Sequence, residues 1–175
     1  MECVDKEIEE LMNLYGNDIL RISYMYLKDK SMAEDAFQEV FVKVYKNFDK
    51  ISDVENIKSW LISIAINTCR DMLRTSWFKR IICFGEKEEY YNSIESEDNV
   101  EKLVMSKIEN KEIFNKVINL PNKYKEPILL YYYEELSTVE IASVLKVPEG
   151  TVRSRLHRGR KLLKDIIDRK IEYGG

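Results

Sequence analysis

Residues 136–164, LSTVEIASVLKVPEGTVRSRLHRGRKLLK, decide the fold. Ser137 and Glu140 have the S-x-x-E spacing of a capping box, in which a hydroxyl and a carboxylate each satisfy a backbone N–H at a helix start. Ile141, Ala142 and Leu145 give the short helix that follows a buried face. Lys146-Val147 is a tight connection. Pro148 suits the first position of the next helix, where its missing N–H is no loss. Beyond it Val152, Leu156, Gly159 and Leu163 recur at steps of four, three and four, which at about 100° per residue puts them on one side. The opposite side carries Gly150, Ser154, His157, Arg158 and Lys161, flanked by Arg153, Arg155 and Arg160. A short capped helix, a short turn and a basic second helix in series predict a helix-turn-helix, whose second helix enters the DNA major groove. Arginines there can reach guanine O6 and N7 in pairs, or neutralise phosphates.

Upstream of this motif the apolar spacing is also helical, and no alternating strand pattern stands out. Ile8, Leu11, Met12, Tyr15, Ile19, Ile22 and Tyr26 form one helical face. Ser31 and Glu34 form another S-x-x-E pair, ahead of Ala36, Phe37, Val40, Phe41, Val44, Tyr45 and Phe48. The stretch DKISDVEN, residues 49–56, reads as a loop. A third helix from about Ser59 to Arg74 buries Leu61, Ile62, Ala65, Ile66, Cys69, Met72 and Leu73. Three such helices share a core, so residues 1–76 form one small domain. From the Trp77-Phe78-Lys79-Arg80 cluster to residue 107 the chain turns acidic, through Glu86, Glu88, Glu89, Glu95, Glu97, Asp98 and Glu101, and reads as a flexible linker. Residues 108–175 make the second domain. They hold helices around Ile113–Ile118 and Tyr124–Tyr132 besides the helix-turn-helix. The fold class is all-α, two small helical domains joined by an acidic linker.

Composition sets limits on function. The chain is 34% charged and 45% hydrophobic, with a net charge of −3. That sum is mildly acidic, so a nucleic-acid surface must come from local clustering of its cations. The N-terminal MECVDKEIEE has no apolar core, which excludes a signal peptide, and no stretch is long enough to span a bilayer. A cytoplasmic protein is expected. Cys3, Cys69 and Cys83 are widely separated and His157 is the only histidine, which argues against a zinc site or a disulfide framework. No phosphate-binding glycine loop and no nucleophile–base pair is present, so neither an enzyme nor a cofactor is expected.

Two further helix faces carry polar and aromatic groups in suggestive combinations. On the third helix Trp60, Ser63, Asn67, Arg70, Asp71 and Arg74 share a sector opposite Ile62 and Leu73. An aromatic ring beside an amide and arginines suits unstacked bases, each stack contributing about 1–3 kcal/mol. A tryptophan packed into the core beside solvated arginines would give the same pattern. On the second helix Asp35, Gln38, Glu39, Val42 and Lys46 form a mixed acidic and apolar face suited to a basic partner helix.

The stretches AEDAFQEVFVKVYKNF (33–48), SWLISIAINTCRDMLR (59–74) and LPNKYKEPILLYYYEELSTVEIASVLKVPEGTVRSRLHRGRKLLK (120–164) together resemble the extracytoplasmic-function sigma factors of the sigma-70 family. The resemblance covers nearly the whole chain. It implies a subunit that joins core RNA polymerase, directs it to particular promoters and helps open the DNA. Residues 1–76 would be sigma region 2 and 108–175 region 4. Asp35, Gln38, Glu39 and Val42 would dock on the clamp helices of the β′ subunit, and region 4 on the β flap. Trp60, Ser63, Asn67, Arg70 and Arg74 would meet the −10 element. Arg153, Ser154, His157, Arg158 and Lys161 would meet the −35 element. The acidic linker would thread through the polymerase near the RNA exit path. The resemblance further implies an anti-sigma factor as partner, no small-molecule substrate and no stable homo-oligomer. A freestanding helix-turn-helix regulator is the alternative, and it leaves the first domain's motifs without a use.

Overall fold

The computed structural model describes residues 2–84 and 111–173, with side chains described for 4–75 and 112–167. In the first unit α1 spans Glu2–Leu27, α2 Lys30–Lys46 and α3 Ile57–Phe84, with a 3-10 helix at Phe48–Asp53. In the second, α4 spans Lys111–Ile118, α5 Asn122–Tyr132, α6 Thr138–Leu145 and α7 Glu149–Tyr173. All described regular structure is helical, as the apolar spacing predicts.

The three described α-helices of the first unit pack pairwise around one core. Ile19 and Ile22 of α1, Val40 and Val44 of α2, and Leu61, Ile62, Ala65 and Ile66 of α3 are each at most 2% exposed. Burying a side chain of this kind contributes about 1.5–3 kcal/mol, so these contacts, not helix propensity, hold the unit together. Polar ties fix the relative positions. Lys43 Nζ donates to Thr68 Oγ1 at 3.0 Å, joining α2 to α3. Asp18 takes Arg21 at 2.6 Å and Lys58 at 3.3 Å, joining α1 to the start of α3.

Several local expectations need correction. The Ser31–Glu34 pair does not cap α2. Its N-cap is Asp29, whose carboxylate accepts from the Met32 N–H at 2.7 Å. Helix formation therefore starts before Ser31, which sits exposed within the first turn. Residues 49–56 are not all loop, since the 3-10 turn occupies their first part and ends at Asp53. Helix α3 runs on to Phe84, so the stretch 77–84, assigned above to the linker, is helical. Leu73 is 41% exposed although it lies on the apolar side of α3. The last buried neighbours on that helix, Cys69 and half-buried Met72, already meet the end of α1 at Leu27 and Tyr26, and α3 outruns its partners. The acidic stretch Glu86–Glu101 lies outside the described residues.

In the second unit, Phe114 and Val117 of α4, Ile128 and Leu130 of α5, Ile141 of α6, and Val152 and Leu156 of α7 are buried. Helix α7 crosses α5 at Gly159, where an added Cβ would stand 2.6 Å from Ile128 Cδ1. A side chain added there would force Ile128 Cδ1 to move.

Candidate promoter-reading faces

The helix-turn-helix is built as its sequence directs at its start. Ser137 Oγ accepts from the Glu140 N–H at 3.3 Å, and Glu140 Oε2 accepts from the Ser137 N–H at 2.7 Å, completing the capping box. The turn is closed by Lys146 in the left-handed region, φ 55°. Its N–H bonds to Ser143 O and that of Val147 to Ala142 O, the pair of bonds that terminates a helix in a Schellman motif. Pro148 lies one residue earlier than expected. It precedes α7, and its carbonyl accepts from Thr151 and Val152.

On α7, Val152, Leu156 and Gly159 are buried and Leu163 half-buried, so the opposite side faces solvent. Arg153, Ser154, His157, Arg158 and Lys161 are all exposed there. The helix thus presents four side chains capable of positive charge or hydrogen-bond donation around one serine. Ser154 Oγ donates to Thr151 O at 3.0 Å, which leaves its lone pairs as acceptors. Arg160 is turned elsewhere, with its guanidinium 5.6 Å from the ring centres of both Tyr131 and Tyr132 on α5. Arg153 is held by Glu149 one turn back, at 2.7 Å from Nη2 and 3.1 Å from Nε. Glu149 also accepts from Thr138 Oγ1 on α6. These hydrogen bonds, from Thr138 first and Arg153 second, hold the Glu149 carboxyl below the ordinary carboxylate range.

On α3, Trp60, Ser63 and Asn67 are half-buried, and Arg70 and Arg74 exposed, on the side opposite the buried Leu61–Ile66 face. The five therefore form one surface strip. Ser63 Oγ donates to Trp60 O at 2.7 Å. Arg74 Nη2 pairs with Asp71 at 2.9 Å, a contact so exposed that it contributes little.

On α2, Asp35, Gln38, Glu39 and Val42 are all exposed. Tyr45, which the spacing places in the core stripe, is instead 49% exposed, one turn beyond Val42 at 43%. It extends the apolar part of this face. Its position three residues after Val42 was the available signal, outweighed by its regular spacing with Phe41 and Phe48. Among the described residues no group of His, Cys, Asp and Glu is arranged to hold a metal ion, and no helix is long and apolar enough to cross a membrane.

A model of the family Sigma-70 region 2 matches residues 11–79, and one of Sigma-70, region 4 matches residues 112–163. The ECF RNA polymerase sigma factor SigW of Bacillus subtilis (strain 168) is 32% identical, over 89% of this chain and 86% of its own length. The ECF RNA polymerase sigma-E factor of Escherichia coli (strain K12) is 30% identical, over 98% of this chain and 92% of its own. The sigma factor RpoE from Bartonella quintana, solved in complex with the anti-sigma factor NepR, shares the fold at a TM-score of 0.75 and 18% identity, over 93% of this chain and 98% of that one. The first match takes in the faces on α2 and α3, which a freestanding regulator leaves unused, and the second takes in the helix-turn-helix. With both regions present in order and relatives this similar along most of its length, the chain belongs to the ECF sigma factors of the sigma-70 family, the subunits that direct RNA polymerase to specific promoters.

Proposed function

We propose that this sigma factor divides its work among three faces. The face of α2 bearing Asp35, Gln38, Glu39, Val42 and Tyr45 docks on the β′ clamp helices of core polymerase. The strip of Trp60, Ser63, Asn67, Arg70 and Arg74 on α3 meets the −10 element as it opens. The face of Arg153, Ser154, His157, Arg158 and Lys161 on α7 meets the −35 element. The observation that carries this reading is that each set lies on the side of its helix opposite the core, exposed on α2 and α7 and half-buried to exposed on α3. Region 2 then comprises the unit of α1–α3 and region 4 the unit of α4–α7, the latter engaging the β flap, with the chain between as a linker. The charge pattern supports it, with acidic and apolar groups on α2 and cations on α3 and α7.

The protein acts by binding and positioning, not by catalysing a reaction of its own, and works in the cytoplasm beside its polymerase. An anti-sigma factor as regulator is part of this reading, and the Bartonella quintana sigma factor, solved in complex with one, supports it. Titration of the protein against purified core polymerase tests the docking face. Wild type binds, and Val42→Asp together with Tyr45→Asp weakens binding by at least about 1 kcal/mol, as loss of apolar anchors does. Unchanged binding by the double variant would refute this assignment.

A further inference from the structure

The first turn of α7 carries a contact that DNA affinity alone does not call for. Glu149 Oε1 accepts from Arg153 Nη2 at 2.7 Å and Nε at 3.1 Å, and from Thr138 Oγ1 at 2.5 Å. Thr138 lies on α6, so the carboxylate is tied to the neighbouring helix as well as to its own. A carboxylate beside a DNA-facing arginine repels phosphates, which lowers affinity for any duplex. Its gain is geometric. An arginine side chain 68% exposed has many rotamers open to it. The anchored carboxylate selects those that lay the Nε–Nη2 edge of the guanidinium on Glu149. Of the five N–H donors of the guanidinium, the end-on pair from Nη1 and Nη2 then points away from Glu149. That pair is a fork of the kind that matches guanine O6 and N7.

We propose that Glu149 is a positioning residue for base reading by Arg153, with Thr138 as its anchor on α6. The inference rests on the reading of α7 as the −35 helix. It makes affinity and selectivity move in opposite directions. Removing the Glu149 charge relieves phosphate repulsion, so binding to any duplex rises. The same change frees the guanidinium, so discrimination at the base that Arg153 reads falls.

A role for Glu149 in the helix alone is the competing account, because a carboxylate in the first turn also favours the helix dipole. Glu149→Asp separates the two. It keeps a charge at the helix start, but it is one methylene short of bridging Thr138 and Arg153.

The experiment uses holoenzyme reconstituted from core polymerase and the full-length protein, presented with duplexes randomised over the upstream promoter element. Bound sequences are counted for wild type, Arg153→Ala, Glu149→Gln, Glu149→Asp and Thr138→Val. Arg153→Ala is expected to abolish base preference at one position. Glu149→Gln and Glu149→Asp are expected to lower preference at that same position by about 3- to 10-fold, part of the discrimination a bidentate arginine supplies. Thr138→Val is expected to lower it less. Glu149→Gln is also expected to raise binding to unrelated duplex by about 2-fold. If Arg153→Ala removes the preference and Glu149→Gln retains it, the positioning role is overturned while the recognition helix stands. If Glu149→Gln weakens all sequences equally and Glu149→Asp restores them, Glu149 serves only the helix and the proposal falls. If Arg153→Ala leaves every preference unchanged, the −35 assignment of Arg153 fails, and the positioning role fails with it.

Discussion

Gly159 on α7 and Ile128 on α5 stand so close that a Cβ on the glycine would lie 2.6 Å from Ile128 Cδ1 and 3.4 Å from Tyr124 Cβ. Ile128 is 2% exposed, so its side chain has little room to retreat. Gly159→Leu is expected to destabilise the second unit by about 1–3 kcal/mol through overpacking. Gly159→Ala costs less, because alanine regains about 1 kcal/mol of helix propensity. Denaturant unfolding monitored in the second unit checks both values. Leucine at wild-type stability would show that the two helices separate without strain.

The start of α2 gives a paired prediction. Asp29→Ala removes the oxygen that accepts from the Met32 N–H and is expected to cost about 1 kcal/mol. Ser31→Ala is expected to change stability by less than about 0.5 kcal/mol, as at other exposed surface positions. Thermal unfolding of the two variants decides between Asp29 and Ser31, and the reverse order would restore the serine cap.

Lys146 holds the turn of the helix-turn-helix in a left-handed conformation, φ 55° and ψ 47°. A side chain there costs about 1–2 kcal/mol relative to its relaxed backbone, a cost glycine does not bear. Lys146→Gly is therefore expected to stabilise the second unit by about 0.5–1 kcal/mol, the remainder being offset by the greater chain entropy of unfolded glycine. A loss of stability on chemical denaturation would contradict the terminating role of this residue.

Cys69 is buried among Leu27, Ala36, Tyr26, Met32 and Met72, and burial pushes its thiol up to about 11. The neutral thiol is thus favoured in the folded protein. Its contribution to stability is complete below the ordinary thiol value and is lost as pH rises through that value towards about 11. Iodoacetamide at neutral pH is expected to leave Cys69 unmodified until the protein is unfolded, as read by peptide mass spectrometry. Rapid modification of native protein would mean that this core opens.

The legible parts of the fold were those whose cause is local. The Ser137–Glu140 box, the buried Val152–Leu156–Gly159 stripe and the solvent side of α7 all follow from spacing along a single helix. Exposure at Tyr45 and Leu73 was not legible, because periodicity gives the direction of a side chain but not whether another helix stands there. Leu73 points to the correct side at a level where α1 has already ended. Asp29 and Ser31 compete for one cap, and which of them leaves the helix depends on where α1 stops. The Glu149–Arg153 pair was present in the sequence as an i, i+4 spacing. Its anchor Thr138, eleven residues before Glu149, meets it only once the turn at Lys146 has folded.

The faces on α3 and α7 are proposed to read separate promoter elements within one holoenzyme. Runoff transcription with core polymerase tests it most directly, on the DNA upstream of this protein's own gene and on a randomised promoter pool. Transcripts that depend on the protein are expected. Asn67→Ala is expected to alter base preference only near the start site and Arg153→Ala only in the upstream element, each weakening transcription by about 10-fold, the effect of losing one specific base contact. Protein-dependent transcripts whose strength and sequence preference survive both substitutions would contradict it.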